Sequence, residues 1–177
     1  MRTFASMILL AVIATALYRA IAPVWASYTS PYYTDDIYKG YRDAYDGSQY
    51  RIKENAGLIP DETVFSYAAG AYARGVDPIL INSEHTPLGK YMIGLFILLM
   101  KNDKFIVLPS AIFTLIAVWI IGWMTLKDKV AALIPVAVLA TEPLFLGQIR
   151  TAPLLDIIQL PWILFAIAAF LREKRKG

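Results

Sequence analysis

The stretch FIVLPSAIFTLIAVWIIGWMTL, Phe105–Leu126, contains no ionisable side chain along its whole length. A helix of about 20 predominantly apolar residues is long enough to cross the hydrocarbon core of a bilayer. The stretch is therefore predicted to be a membrane-spanning helix. The composition agrees, because 58% of the chain is apolar, whereas soluble domains contain about 45–50%. The sequence predicts an all-α integral membrane protein.

Three further runs, on both sides of this stretch, are long and apolar enough to cross a membrane. We predict spans at residues 4–26, 130–147 and 152–171. The first run also has features of a secretory signal peptide, but we interpret it as a span. Residues 88–100 would form a helix of only about 20 Å, which is shorter than the hydrocarbon core. We therefore predict an interfacial helix there.

Basic residues near the ends of the spans predict the orientation. With four spans and a cytoplasmic N-terminus, Lys127, Lys129 and the basic tail at residues 172–177 all lie in the cytoplasm. A fifth span at residues 88–100 would place that tail outside, against the preference of short basic loops for the cytoplasm. The segment at residues 27–104 is then extracytoplasmic. We expect the plasma membrane of a prokaryote.

The predicted extracytoplasmic segment is too long to be a simple connector. Residues 36–45 carry apolar and aromatic side chains at helical spacing, and residues 61–74 open with two acids and end before Gly75. Residues 55–60 contain glycine and proline and predict a break between these helices. The segment is therefore predicted to be a helical cap, which could be a structural lid without chemistry.

Ionisable residues gather at the extracytoplasmic ends of the predicted elements. They are Asp35, Asp36, Glu84, His85, Lys90, Glu142, Arg150 and Asp156. Ionisable groups are costly within a span and usually face a cavity or a partner. For each one the alternative is a structural ion pair, such as Arg150 with Glu142. Taken together, the group favours a functional site over a set of packing contacts.

The residue types limit the chemistry of such a site. The chain has no cysteine and one histidine, which excludes thiolate sites and gives little support to zinc or to a serine hydrolase triad. No glycine-rich phosphate loop is present. The carboxylates could act as a general base or hold a divalent cation, with Asp35 and Glu84 as candidate ligands. Lys90 and Arg150 could neutralise a phosphate. The net charge of +3 comes partly from the tail, so we expect no nucleic-acid partner.

Three stretches in this order resemble one known family. SEHTPLGKYMIG, residues 83–94, resembles the E-H-P-P-L-G-K-Y motif of the protein O-mannosyltransferase-like branch of GT-C glycosyltransferases. YYTDDIY, residues 32–38, resembles the family's aromatic-x-Asp-Glu-x-x-Tyr motif. VLATEPLFLGQIRTAPLLDIIQLPWILFAIAAF, residues 138–170, resembles its passage from the third to the fourth span. The fold implied is the N-terminal module of a GT-C enzyme.

The resemblance also implies an activity and roles for the candidate residues. Family members transfer a sugar from a polyprenyl-phosphate donor to a protein or lipid acceptor on the outer or lumenal face. The family's acidic pair after the first span is implicated in catalysis, so Asp35 and Asp36 would be the catalytic residues. By position, Asp35 would deprotonate the acceptor hydroxyl, with Asp36 as its neighbour. The candidates for contact with the donor phosphate or the substrate are Glu84, His85, Lys90, Glu142, Arg150 and Asp156.

The sequence departs from the family pattern in three ways. Thr86 replaces the first proline of the motif, and Asp36 replaces a glutamate. The chain also ends after four predicted spans, where such enzymes usually continue with several more. A second acidic pair, Asp61–Glu62, also precedes a helix and is an alternative acidic motif. We prefer Asp35–Asp36 because this pair directly follows the first span.

These observations leave three hypotheses open. The first is a GT-C-like glycosyltransferase module, completed by a second membrane chain or by a missing C-terminal half. The second is a non-catalytic membrane subunit that binds a polyprenyl lipid or a partner protein, because a fold does not fix a function. The third is a transporter or channel subunit. It is disfavoured because the polar residues gather at one face instead of following the membrane depth.

Overall fold

The computed structural model describes residues 2–54, 56–151 and 153–174, and the chain forms helices along most of this length. The described residues form no strand, although Ser48 and Gly57 make an isolated β-bridge. The helices are α1 (Arg2–Ile21), α2 (Trp25–Thr29), α3 (Asp35–Asp46), α4 (Asp61–Tyr72), α5 (Pro87–Met100), α6 (Val107–Leu126), α7 (Leu133–Thr141), α8 (Pro143–Arg150) and α9 (Leu155–Lys174). Short 3₁₀ turns lie at Ala22–Val24 and Pro78–Leu80.

Some predicted boundaries fall on residues that the structure does not describe. The predicted break at residues 55–60 begins at Asn55, and the predicted span at 152–171 begins at Ala152. The predicted basic tail includes residues 175–177. These positions lie outside the described residues.

Within the residues that the structure describes, three helical segments are long and apolar enough to cross a membrane. They are Arg2–Thr29, which joins α1 to α2, together with α6 and α9. A fourth candidate is the pair of helices α7 and α8, which is bent by 62°. The prediction of an all-α membrane protein with about four spans, and with a helical segment between the first two, is therefore confirmed.

The bend between α7 and α8 falls where the sequence predicted one continuous span at 130–147. Pro143 begins α8, and Glu142 before it adopts an extended conformation with ψ of 125°. Proline disfavours a helical conformation in the residue that precedes it. The Glu142 side chain accepts a hydrogen bond from the Phe145 amide at 2.7 Å, which satisfies one free amide at the start of α8.

The described chain forms two compact units. The first comprises residues 2–25, 108–150 and 156–174. Within it, α1 packs against both α7 and α8. The contacts bury small and β-branched side chains, among them Ala20, Val136 and Ile149. A Cβ on Gly122 of α6 would lie 3.3 Å from Ala132, so α6 also approaches the start of α7 closely.

The second unit comprises residues 26–107 and 151–155, and it is built around α4. Every residue from Val64 to Tyr72 is buried, as expected of a helix that is covered on all sides. The neighbours of α4 are α3 and α5. Small residues allow the close approach of α5, because a Cβ on Gly94 would lie 2.9 Å from the carbonyl oxygen of Ala69.

Candidate functional site

Hydrogen bonds tie the chain that leads into α3 to the end of α5. The side-chain amide of Asn102 donates to the carbonyls of Ser27 at 2.9 Å and Ser30 at 2.8 Å. The Tyr33 amide donates to the Lys101 carbonyl at 2.8 Å. Lys101 ends α5 in the left-handed conformation, with φ of 52°. These contacts place the start of α3 beside the C-terminal end of α5.

Asp35 is the first residue of α3, and it pairs with a cation that follows α4. Thr34 caps the helix, with its hydroxyl oxygen accepting from the Ile37 amide at 3.3 Å. The Arg74 guanidinium lies 2.5 Å from the Asp35 carboxylate, so α3 runs antiparallel to α4. The hydrogen bond and the charge of Arg74 hold the pKa of the Asp35 carboxyl below its usual value.

Arg74 is held in place from its other sides. Its Nη1 donates to the Gly70 carbonyl at 3.0 Å, and its guanidinium lies 4.0 Å from the centre of the Tyr38 ring. Because these contacts do not involve Asp35, they fix the guanidinium independently of the carboxylate. Arg74 is thus a preorganised cation with one edge directed at Asp35.

A cavity of about 530 Å³ opens beside this ion pair. Its polar lining includes Asp35, Arg74 and Lys101, and its apolar lining includes Ile97 and Leu98 from α5. Two cations can neutralise a phosphate, and a carboxylate can accept a proton from a hydroxyl. The cavity therefore combines an anion-binding edge, a candidate base and an apolar wall.

The two other candidate acids of this region lie outside that cavity lining. Asp36 is 95% exposed, and its carboxylate lies 4.0 Å from Lys39. In the alternative acidic pair, the Asp61 carboxylate accepts a hydrogen bond from the Tyr50 hydroxyl at 2.7 Å. This bond is the largest of the effects that raise the pKa of Tyr50 to about 12. The geometry around Asp61 is that of a contact between segments of the unit.

Glu84 lines a different cavity, of about 250 Å³, together with Tyr45 and Tyr50. Tyr45 lies near the end of α3, about 15 Å along the helix from Asp35. Asp35 and Glu84, the two candidate cation ligands, therefore line different cavities, which the length of α3 separates. His85 packs edge-on against Phe65, with the ring centres 5.4 Å apart.

Lys90 is fully buried on α5. Its ammonium donates to the Asn82 carbonyl at 2.5 Å and to the His85 carbonyl at 3.1 Å. Burial lowers the pKa of Lys90 to about 8, and the charge of Glu84 opposes this shift. The side chain thus holds the turn at residues 82–85 against α5, and its charge is directed at backbone carbonyls.

The remaining predicted site residues belong to the first unit. Glu142 caps α8 as described above. The Arg150 guanidinium donates to the Arg19 carbonyl at 3.3 Å, where the sequence had suggested an ion pair with Glu142 as the structural alternative. Asp156 is exposed in the first turn of α9 and accepts from the Gln159 amide at 3.5 Å. The structure thus assigns Asp35, Glu84, His85 and Lys90 to one unit and these three residues to the other.

The predicted cation ligands do not form a metal-binding cluster. Within residues 2–54, 56–151 and 153–174, no group of three or more histidine and carboxylate side chains is arranged to hold a metal ion. Asp35 is bound by Arg74, and Glu84 lines the other cavity. The pair proposed from sequence therefore does not fit a shared divalent cation.

Sequence reasoning missed Arg74 and Lys101, although a signal for both exists. Each follows the last turn of a helix, where a cation complements the helix dipole. Asp35 stands at the start of a helix, where an anion is favoured for the same reason. Once the helices pack so that the start of α3 meets the ends of α4 and α5, these charges converge.

Comparison with known proteins agrees with two of the three motifs read from the sequence, those at residues 83–94 and 138–170, and does not reach the motif at residues 32–38. A family model for dolichyl-phosphate-mannose-protein mannosyltransferases matches residues 84–177, which is more than half of the chain. Searches among curated proteins and among solved structures found no match. The matched region begins at Glu84 and includes His85 and Lys90, while Asp35 precedes it. The chain therefore belongs to the dolichyl-phosphate-mannose-protein mannosyltransferase family of GT-C-type membrane glycosyltransferases.

Proposed function

We propose that the chain is a module of a mannosyltransferase-like enzyme that uses a sugar linked to polyprenyl phosphate. The acceptor is a hydroxyl group of a protein or a lipid. The observation that carries this proposal is the cavity where Asp35, Arg74 and Lys101 meet an apolar wall of α5. A lipid-linked sugar phosphate needs a cationic site and an apolar surface next to each other, and this cavity supplies both.

The proposed reaction is a direct displacement at the anomeric carbon of the sugar. Asp35 accepts the proton of the acceptor hydroxyl while the hydroxyl oxygen forms a bond to that carbon. The bond between the carbon and the phosphate oxygen breaks, and the polyprenyl phosphate leaves with the electron pair. Arg74 and Lys101 stabilise the charge that develops on the phosphate.

The lipid part of the donor is expected to lie along α5. Leu95, Leu98 and Leu99 are 50%, 56% and 70% exposed, so this short apolar helix presents a hydrocarbon surface next to the cavity. Such a helix is suited to the membrane interface, where the polyprenyl chain lies in the hydrocarbon and its phosphate lies in the polar layer. Leu98 belongs both to the exposed face and to the cavity lining.

The other predicted site residues keep supporting roles in this proposal. Lys90 positions the turn that carries Glu84 and His85, and we expect this turn to contact the substrate from the side of the second cavity. Glu142, Arg150 and Asp156 stay predicted substrate contacts. We further propose that the site faces the extracytoplasmic side of a prokaryotic plasma membrane. We expect a second membrane chain or further helices of the same enzyme to complete the donor groove.

One observation favours a non-catalytic alternative. The ion pair with Arg74 lowers the pKa of Asp35, and a less basic carboxylate is a weaker general base. A subunit that only binds a polyprenyl lipid could keep the same cavity without using Asp35 chemically. The two functions predict different results when the carboxylate is removed.

The test is Asp35→Asn in the complete membrane assembly, assayed for sugar transfer from a polyprenyl-phosphate donor and, separately, for binding of that donor. We expect transfer to fall by roughly 10²–10⁴-fold, because a general base contributes about that much, while donor binding stays nearly unchanged. Asp36→Asn removes the neighbouring exposed carboxylate and serves as the matched control. Full transfer by Asp35→Asn would exclude the catalytic role. Absence of donor binding by the unmodified chain would exclude the lipid site as well.

A further inference from the structure

A second cavity lies in the first unit, at the C-terminal ends of α6 and α9. Its volume is about 620 Å³, and its lining is Ile120, Trp123, Met124, Lys127 and Arg172. Among the described residues, α6 and α9 are not a closely packed pair, so the space between their ends is open. The lining combines apolar side chains with two cations, Lys127 directly after α6 and Arg172 on α9.

The two cations have no acidic partner in the part of the chain that the structure describes, where no ion pair involves Lys127 or Arg172. Asp128, the acid that follows Lys127 in the sequence, is already engaged. It pairs with Arg2 at 3.4 Å and accepts from the Val130 and Ala131 amides. Neither cation of the lining is thus engaged in an ion pair among the described residues, so both can pair with an anion.

The position of the cavity along α6 points to the surface of a membrane. A helix of 20 residues extends about 30 Å, which matches the hydrocarbon core. Lys127 follows its last residue and turns the chain with φ of 57°. Trp119 and Trp123 stack near that end, with ring centres 5.5 Å apart, and tryptophan is enriched at the level of lipid headgroups.

We propose that this cavity binds an anionic phospholipid. The phosphate of the headgroup lies between Lys127 and Arg172, and an acyl chain lies against Ile120 and Met124. A lysine and an arginine can neutralise a phosphate together. The apolar lining favours a lipid over free phosphate, because it buries hydrocarbon at the same time as the charges are paired. This site is independent of the proposed transferase site.

The test uses the full chain, purified and titrated with phosphatidylglycerol or phosphatidylcholine, with the retained lipid counted by native mass spectrometry. The double variant Lys127→Gln, Arg172→Gln should weaken phosphatidylglycerol binding by about 30-fold, because each basic side chain near a membrane contributes several-fold to the binding of anionic lipid. The double variant Lys129→Gln, Lys174→Gln is the matched control. It removes the same charge near the same helix ends, from Lys174 on α9 and from Lys129 in the linker after α6. Neither residue lines the cavity, although the Lys129 ammonium lies 5.0 Å from the centre of the Trp123 ring.

Met124→Trp tests the proposed binding site of the acyl chain without changing the charge of the cavity. It should reduce phosphatidylglycerol retention by filling the cavity, while the helical content of the protein stays the same. Equal loss of lipid in both double variants would show general electrostatic attraction and overturn the proposal. Unchanged retention in Met124→Trp would also overturn it. Release of the lipid by excess inorganic phosphate alone would show a free-phosphate site and contradict the phospholipid assignment.

Discussion

At the scale of single residues, the central feature of the candidate site is the ion pair between the Asp35 carboxylate and the Arg74 guanidinium. The Asp35 side chain is 81% exposed, so the proposed acceptor hydroxyl would have access to it. Arg74 lowers its pKa and thereby its strength as a base. The pair stabilises the folded chain above about pH 4 and loses this contribution as the pH falls through the lowered pKa of Asp35.

This pair predicts a shift in the pH dependence of transfer. Besides Arg74, the charges that face Asp35 are Lys39 on its own helix and Lys101 at the end of α5. Arg74→Gln removes the largest of them, so the pKa of Asp35 should rise towards its usual value. The acid limb of kcat/KM should then move to higher pH, because more carboxyl groups are protonated at a given acidic pH.

The measurement is the pH profile of sugar transfer, together with direct titration of the Asp35 carboxyl by NMR. Lys39→Gln is the control, since its charge acts on the same carboxyl more weakly and should move the limb less. An acid limb that stays in place in Arg74→Gln would contradict the role of Arg74 in setting the basicity of Asp35. If loss of Arg74 also weakens donor binding, the NMR titration still reports the change in the pKa of Asp35 directly.

For the candidate site, the sequence indicated the acidic residue, Asp35, but not the cations that line the same cavity. Asp35 stands in a recognisable motif directly after the first apolar run. Arg74 and Lys101 stand in no motif, and their role depends on which helix ends meet. Lys90 shows the converse case, because its place in the motif suggested a phosphate contact, whereas burial directs its ammonium at the carbonyls of Asn82 and His85.

At the scale of elements, the approach of α5 to α4 sets the width of the candidate site. Helix α4 contributes a surface of small residues, and Gly94 lets α5 come within contact of the Ala69 carbonyl. Periodicity in the sequence predicted helices in both places. It could not predict this contact, because a glycine within a helix looks the same whether it faces a neighbour or open space.

Gly94→Ala should therefore destabilise the chain by roughly 1–3 kcal/mol, as expected when a methyl group is forced into a packed contact. The new Cβ would lie 2.9 Å from a backbone oxygen, which cannot move aside as a side chain would. Gly40→Ala in α3 is the control. A Cβ there meets nothing within 4 Å, and alanine should raise helix stability by up to about 1 kcal/mol.

Unfolding by denaturant in detergent micelles, followed by helical circular dichroism, measures both changes. If Gly94→Ala were as stable as Gly40→Ala, the close packing of α4 on α5 would be wrong. A shift of α5 should also displace Lys101 from the cavity. We therefore expect Gly94→Ala to lose transfer activity at temperatures where the helices are still folded.

At the scale of the whole molecule, the bent pair α7–α8 decides the topology. If the pair crosses the membrane, the chain has four spans and both ends lie on the same side. If it enters and leaves by one face, the chain has three spans and the ends lie on opposite sides. Length and composition were sufficient to identify the three other candidate spans, but the bend lies where Pro143 begins α8.

We predict that both ends are cytoplasmic, because Lys127, Lys129 and Arg172 then all lie at the cytoplasmic face. The chain contains no cysteine, so a single introduced thiol can report its side of the membrane. In Gly177→Cys, at a position outside the described residues, a membrane-impermeant maleimide should label the protein only after the cells are lysed. A thiol placed at Gly57, in the segment between the first two spans, should react in intact cells. Labelling of Gly177→Cys from outside would rule out the four-span topology.

The hydrogen bonds of Asn102 link folding of the candidate site to the order in which the chain is synthesised. Its amide group donates to Ser27 and Ser30, and its oxygen accepts from the Lys104 and Phe105 amides. One buried side chain thus joins a segment translated early to one translated about 75 residues later. As the ribosome extends the chain, the residues around Asp35 stay without this anchor until the start of α6 has been synthesised. The nascent chain therefore cannot complete its candidate site before the residues that lead into its second span have been synthesised.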